Sequence, residues 1–151
     1  MIQLNYRNTQ VFGWSQINNK KVVVPKEANE LFNFTNHDAL ILFSGNTTSG
    51  GFILSSEEQI KNSPLKNIIL KGENDLSDLD TDIIQYKNRT FFIVPFDKET
   101  MTILIPDRAI NEFGLNEGDK LIATKGSEIA CVFVAKGPIY EESLTNTEIP
   151  E

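Results

Sequence analysis

The stretch MTILIPDRAINEFGLNEGDKLIATKGSEIACVFVAKGP, residues 101–138, decides the fold that we predict for this chain. Its apolar run at 103–105 is β-branched and too short for a helix, so it predicts a strand. Pro106 suits the first turn of a helix, and Gly114 can adopt the positive φ that ends one. Two more strands are predicted after a turn, at 120–124 and 129–135. The predicted unit is a strand, a short helix, a turn and a strand pair.

An internal duplication is the strongest inference from the sequence. The same pattern occurs earlier in the chain, where VVVP at 22–25 matches ILIP at 103–106. The match continues without a gap as far as Gly45, which falls on Gly126. We therefore predict two copies of one structural unit.

Two details of this alignment concern the backbone. Asn33 stands where the second copy has Gly114, and Asn is the next-best residue for a left-handed helix cap. After Gly45 the first copy carries one extra residue in our alignment, which places 52–54 over 132–134. Both copies then end in a strand of the same kind.

Length and composition predict a folded protein with a substantial core. The chain has 151 residues, of which 40% are apolar, with ten Phe and a single Cys. One Cys excludes an internal disulfide, and no apolar run reaches the length that spans a membrane. The polar start, MIQLNYRNTQ, has no signal-peptide core. We expect a cytoplasmic protein without membrane contact.

The net charge of −7 is unevenly distributed. Residues 1–55 carry a net charge of +1, residues 56–90 carry −2, and residues 91–151 carry −6. The segment from Met1 to Lys26 holds four positive side chains and no negative one. If any face meets a polyanion, it is the face formed by this segment.

The pattern resembles the AbrB/SpoVT/MazE family of swapped-hairpin domains. The matching residues are ILIP at 103–106, FGL at 113–115 and EGDKL at 117–121, with a weaker match at 22–25 and 36–40. In that family two copies interleave hairpins into one DNA-binding β-barrel, and the two-copy form is similar to MraZ proteins. The resemblance implies a mainly β (α+β) fold, a tandem AbrB-like swapped-hairpin barrel with a short helix in each repeat. Its parts are a first repeat at 8–55, a connector at 56–88, a second repeat at 89–138 and an acidic tail at 139–151, the two repeats forming one pseudo-dimeric barrel.

The family's basic positions differ in this chain. Family members carry a Gly-Arg pair at the start of the second strand, where this chain has Lys20-Lys21 and Met101-Thr102. They also carry a basic residue four places after the proline, where this chain has Asn29 and Ile110. The first copy keeps positive charge without the planar fork of Arg.

The first hypothesis is a DNA-binding transcriptional regulator. The lysines and Arg7 would contact phosphates, and the two amides of the hairpin turn would face base edges. The bland alternative is that these lysines keep an edge strand soluble and unpaired. The proposed DNA-binding residues are Arg7, Asn18, Asn19, Lys20, Lys21 and Lys26.

The second hypothesis is a protein-interaction module, antitoxin-like or a scaffold, that has lost the family's basic residues. The acidic tail would then bind a basic partner. It could equally be a solvent-exposed terminus that is frayed beyond Ser143. A homo-oligomer is also left open. Two interpretations are open for Trp14 as well. It could be exposed on the basic hairpin and stack on a base or a partner, or it could be a core residue of the barrel.

An enzyme is the third hypothesis, and the residues argue against it. His37 falls in a turn, Cys131 lies in an apolar strand, and no nucleophile elbow, phosphate loop or metal-ligand spacing occurs. The triad Asp78, Asp80 and Asp82 imitates the start of a calcium loop but lacks its Gly and its closing Glu. We therefore expect no catalytic residues, no metal and no cofactor.

Overall fold

A computed structural model describes residues 1–45, 50–67, 73–75, 82–87 and 89–150 of the chain. Within these residues the fold is mainly β with four short α-helices, which confirms the predicted α+β class. The strands are β1 (Ile2–Gln3), β2 (Gln10–Gln16), β3 (Lys21–Val23), β4 (Ala39–Phe43), β5 (Phe52–Ser55), β6 (Glu73–Asp75), β7 (Asp82–Tyr86), β8 (Arg89–Asp97), β9 (Thr102–Leu104), β10 (Lys120–Lys125) and β11 (Cys131–Val134). The helices are α1 (Lys26–Phe32), α2 (Glu57–Lys61), α3 (Asp107–Phe113) and α4 (Pro138–Leu144).

One order of elements occurs twice along the chain. Strand, strand, helix, strand and strand appear as β2, β3, α1, β4 and β5, and again as β8, β9, α3, β10 and β11. β3 and β9 begin at matching positions of the gapless alignment, and so do α1 and α3. Both helices end at a left-handed residue, Asn33 with φ 55° and Gly114 with φ 68°. The backbone requirement inferred from the sequence is therefore met in both copies.

The strands of the two repeats pair mainly with each other. β2 of the first repeat pairs with β10 of the second, and β8 of the second pairs with β4 of the first. β3 pairs with β9, and β5 pairs with β11. The result is one curled antiparallel sheet, a half-barrel with the order β1-β2-β10-β11-β5-β4-β8-β7-β6. Outside this order, β9 pairs with β8 on one side and with β3 on the other. Each repeat supplies the hydrogen-bonding partners that the other lacks.

The register at the end of each repeat corrects the sequence alignment. Leu42 pairs with Leu54, and Ala123, which matches Leu42 in the gapless alignment, pairs with Phe133. Leu54 and Phe133 are thus equivalent, so the first copy carries two extra residues, and the prediction of one was wrong. A slip of one residue would turn every side chain of the strand to the opposite face. The burial pattern agrees, because Phe52 to Leu54 alternate as Cys131 to Phe133 do.

The main core lies inside the curl of the sheet and draws on both repeats. Val22, Phe32 and Phe52 of the first repeat pack in one cluster with Ile103 and Phe133 of the second. Phe rings stack through this cluster, with ring centroids 4.8 Å apart for Phe52 and Phe133. Neither repeat could bury this apolar surface alone.

A second cluster lies under the connector. The sequence from Ser56 to Asn62 predicts a short helix, and α2 lies there with its Ile60 packed against Phe43 and Phe91. After Pro64 the sequence also predicts a strand at 67–70, of which only the first residue is described, and that residue is not in a strand. For 72–82 the sequence predicts a polar acidic loop, and this is wrong for the part that is described, because residues 73–75 form β6 and Asp82 begins β7. The rest of this stretch, with Asp78 and Asp80, lies outside the described residues.

The prediction that the acidic tail frays beyond Ser143 is wrong. Its Ile149 is buried at 5% exposure against Leu4, Val11 and Ile122, on the outer side of the sheet. The reason is apolar burial together with one backbone hydrogen bond, from the Trp14 N–H to the Pro150 carbonyl at 2.9 Å. α4 and residues 145–150 therefore belong to the folded body.

Each of the four described α-helices has at most seven residues, and none is long and apolar enough to cross a bilayer.

Candidate nucleic-acid interface

β3 and β9 form a two-stranded ribbon, and its outward side chains make up what we call the ribbon face. Lys21 lies opposite Leu104, and Val23 lies opposite Thr102. Between these pairs, Val22 and Ile103 point inward and are fully buried. The ribbon face consists of Lys21, Val23, Thr102 and Leu104.

The first-repeat hairpin turn, residues 18–21, adjoins one end of the ribbon. Asn18 and Lys21 exchange two backbone hydrogen bonds of 3.0 and 2.9 Å. The two residues between them are left-handed, Asn19 with φ 54° and Lys20 with φ 64°. Two left-handed residues are what a tight two-residue hairpin loop requires, and Asn is among the residues that tolerate this conformation best. We call residues 18–21 the first turn.

Two acidic residues of the second repeat contact the first turn. The Glu117 carboxylate accepts hydrogen bonds from the backbone N–H of Asn19 at 2.5 Å and of Lys20 at 3.4 Å. The Lys20 ammonium lies 2.7 Å from Oδ1 of Asp107, at the start of α3. Both partners of this ion pair are solvent-exposed, so it adds little to stability. The Asp107 carboxylate does, however, offset the positive charge of Lys20 that a polyanion would meet.

The other proposed DNA-binding residues lie at different places. Lys21 is exposed on the ribbon face. Lys26 opens α1, and its ammonium lies 3.9 Å from Oε1 of Glu30. Arg7 lies with its guanidinium 5.2 Å from the ring centroid of Tyr6, in a segment whose backbone donates to Glu142 of α4. The structure thus groups residues 18–21 at one end of the ribbon and places Arg7 beside α4.

The position four places after each proline is turned inward. Asn29 is 2% exposed, and its amide nitrogen donates to the carbonyls of Val24 and Pro25 at 2.9 and 3.2 Å. Ile110 packs against the main core. Asn29 thus supports the backbone between β3 and α1, whereas Ile110 contributes apolar packing.

The second-repeat turn, residues 97–101, is closed differently. Its Asp97 carboxylate accepts from the N–H groups of Glu99 and Thr100 within the same turn, at 3.0 and 3.3 Å. The Lys98 ammonium lies 2.8 Å from Oδ1 of Asp38. The hydrogen bond and charge of Lys98 hold the pKa of the Asp38 carboxyl below its usual range.

Trp14 lies outside the main core, in the outer cluster of Ile149. Its ring meets Tyr140 edge-on, with centroids 5.3 Å apart, and the Lys120 ammonium lies 4.4 Å from the centroid of the Trp14 ring. It also lines a cleft of about 820 Å³ between β2 and the start of α1. Trp14 is therefore neither a core residue of the barrel nor a fully exposed stacking residue.

His37 and Cys131 take no part in the interface. Nε2 of His37 lies 3.5 Å from Oε2 of Glu58, at the side of α2. Cys131 is fully buried in β11, and burial raises the pKa of its thiol, which makes it a poor nucleophile. Within the described ranges no three His, Cys, Asp or Glu side chains are arranged to hold a metal ion.

Sequence reasoning missed Glu117 and Asp107 as neighbours of the first turn. The signal available was the net charge of −6 over residues 91–151. It indicated acidity in the second repeat but not that two of its carboxylates would lie against the basic turn of the first.

Comparisons with the models of known protein families, with curated proteins and with solved structures found no match to this chain.

Proposed function

We propose that this chain is a DNA-binding transcriptional regulator of the AbrB/SpoVT type, a tandem of two AbrB-like repeats in one pseudo-dimeric barrel. The observation that carries the proposal is the β3–β9 ribbon, in which equivalent strands of the two repeats pair antiparallel with the first turn at one end. The resemblance to the AbrB family implies that the hairpins of two copies interleave in one barrel, and the pairing of β3 with β9 supports such an arrangement. The ribbon face and the first turn would contact the duplex.

The charges of the first repeat support phosphate contact more than base reading. Lys20, Lys21 and Lys26 are exposed, and each can approach a phosphate as a point charge. Asn18 and Asn19 are exposed in the first turn and carry amides that can reach base edges. Because few cations are involved, we expect modest and strongly salt-dependent affinity.

The experiment is a fluorescence-anisotropy titration of a mixed-sequence duplex, first at low salt and then near physiological salt. Lys21→Ala should weaken binding and reduce the slope of log K against log salt by about 0.9, the value of one phosphate contact. Lys136→Ala is the control, since it removes the same charge from an exposed site just after β11, away from the ribbon. Absence of binding even at low salt would refute the proposal.

A second candidate function is favoured by one feature of the ribbon face. Val23 is 55% exposed and Leu104 is 45% exposed, at equivalent positions of the two repeats. An exposed apolar pair suits contact with a protein, and a second copy of this chain is the simplest partner. Sedimentation of the wild type and of the Val23→Ser/Leu104→Ser variant tests it. Association that the variant loses would support this candidate, and a monomer in both would reject self-association.

A further inference from the structure

We propose that the first turn is a binding site for a phosphate oxygen, and that the Glu117 carboxylate occupies this site when DNA is absent. This inference rests on the proposed function, because the phosphate would be that of a DNA backbone. The N–H groups of Asn19 and Lys20 and the Lys20 ammonium would receive the phosphate, and the Glu117 side chain would have to leave.

The backbone of the first turn has the geometry of an anion site. Asn19 and Lys20 are consecutive left-handed residues, and their N–H groups converge on the two oxygens of one carboxylate. Successive N–H groups that point into one concavity are a recurrent way of binding anions, phosphate included. A carboxylate presents two oxygens and a negative charge, so Glu117 stands in for the phosphate.

The side chain of Lys20 completes the site. Its ammonium is held at 2.7 Å by Oδ1 of Asp107, so the N–H groups of Asn19 and Lys20 and the Lys20 ammonium all face acids of the second repeat. A phosphate that displaced Glu117 would meet two N–H donors and one cation. It would form charge-assisted hydrogen bonds with all three.

Glu117 can leave without dismantling the turn. The turn is closed by the two hydrogen bonds between Asn18 and Lys21. The loop that carries Glu117 is fixed by other bonds, from the Gly118 N–H to the Ile17 carbonyl and from the Ile17 N–H to the Asp119 carbonyl. The Glu117 side chain is itself exposed, so its carboxylate is already largely hydrated in the contact, and its release to water costs little.

In the second-repeat turn, by contrast, the carboxylate that accepts the backbone hydrogen bonds belongs to the turn itself. There the accepting carboxylate is Asp97, only two and three residues from its donors, which is ordinary local capping of a turn. Glu117 is 98 residues from Asn19 in the sequence and comes from the other repeat. Its contact with the first turn therefore joins two separate surfaces, and a competing ligand can part them.

The test compares DNA affinity among variants that each lose one negative charge. Glu117→Ala removes the competing oxygens, and Glu128→Ala is the control, since Glu128 is exposed in the β10–β11 turn. Binding of a mixed duplex at low salt should tighten about tenfold in Glu117→Ala relative to Glu128→Ala, the value of one charge-assisted hydrogen bond. Asp107→Asn should instead steepen the salt slope by about 0.9, because it frees the Lys20 ammonium.

Thermal unfolding of each variant checks that the fold is kept, and Glu117→Gln, which keeps the shape of the side chain, replaces Glu117→Ala if that variant unfolds. Equal affinity in Glu117→Ala and Glu128→Ala, or weaker binding in Glu117→Ala, would overturn the phosphate site while leaving DNA binding intact. If neither the wild type nor any variant binds DNA, the proposed function fails and the site fails with it.

Discussion

Val22 and Ile103 lie opposite each other on β3 and β9, and each holds the same position in its own repeat. Two backbone hydrogen bonds beside this pair also join equivalent positions of the two repeats. The Val24 N–H donates to the Met101 carbonyl, and the Ile105 N–H donates to the Lys20 carbonyl, both at 2.8 Å. An approximate two-fold axis thus passes between Val22 and Ile103. Both side chains are fully buried, so the contact between the repeats is also part of the core.

Shortening Ile103 should destabilise the whole protein. Ile103→Ala leaves a cavity between the two repeats, and we expect a loss of about 2–5 kcal/mol in the free energy of unfolding. The measurement is urea unfolding followed by circular dichroism. Leu104→Ala is the matched control on the next residue, where 45% exposure predicts a change within about 0.5 kcal/mol. Similar losses in the two variants would contradict the inward placement of Ile103.

Gly51 cannot be replaced without disturbing the strand opposite. It has φ 71°, and a Cβ at this position would overlap the carbonyl oxygen of Phe133 in β11. Gly51→Ala should therefore cost about 3 kcal/mol or more in unfolding free energy.

The control for Gly51 is Gly114, which has nearly the same φ of 68°, but there a Cβ would meet no atom within 4 Å. Gly114→Ala should cost only the backbone term, about 1–2 kcal/mol. Both free energies can be measured by urea unfolding under one set of conditions. If the two variants lose equal stability, the close approach of Gly51 to Phe133 is wrong.

The order of elements could be predicted because its signals are local. A β-branched run, a proline and a left-handed cap residue lie within about a dozen positions, and they occur at 22–33 and again at 103–114. The end of the first repeat carries no such signal. The sequence between β4 and β5 is rich in Gly and Ser, so residues can be added without changing any local pattern, and only pairing to β11 decides the register.

The candidate site was less predictable than the fold. The polar segment 16–20 predicted a turn before a strand that begins at Lys21, and the structure has β2 running to Gln16 and a tight turn at 18–21. Its acidic neighbours come from the other repeat, and Glu117 lies 98 residues away along the chain. Contacts between repeats depend on how the sheet curls, which single-sequence patterns do not record. The same holds for Ile149, whose neighbours Leu4 and Val11 lie near the opposite end of the chain.

The ion pair of Asp38 and Lys98 should make a small, pH-dependent contribution to stability. The folded-state pKa of Asp38 lies below its ordinary value of 3.8, chiefly because Lys98 donates a hydrogen bond to it. A depressed pKa stabilises the folded state above the unfolded-state pKa, and this contribution is lost as the pH falls through the folded-state pKa.

NMR titration of the Asp38 carboxyl measures this effect directly. In Lys98→Gln the pKa of Asp38 should rise toward its ordinary value, and the stability difference from the wild type should begin to shrink below about pH 4 and vanish only below the folded-state pKa of the wild type. Lys61→Gln is the control, because Lys61 pairs with Glu57 on α2 and should leave Asp38 unchanged. An unaltered pKa in Lys98→Gln would contradict the ion pair.

The segment after α4 should behave as part of the folded body, and Trp14 can report on it. Ile149→Ala removes the apolar anchor of this segment, so we expect a loss of about 2 kcal/mol in unfolding free energy. Because Trp14 is the only Trp of the chain and its backbone N–H donates to the Pro150 carbonyl, its emission should shift to the red as water reaches the ring. Leu144→Ala is the control, since Leu144 is 50% exposed on α4 and should change neither quantity. Unchanged stability and emission in Ile149→Ala would mean that the tail is not docked on β2, and a basic partner could then reach it.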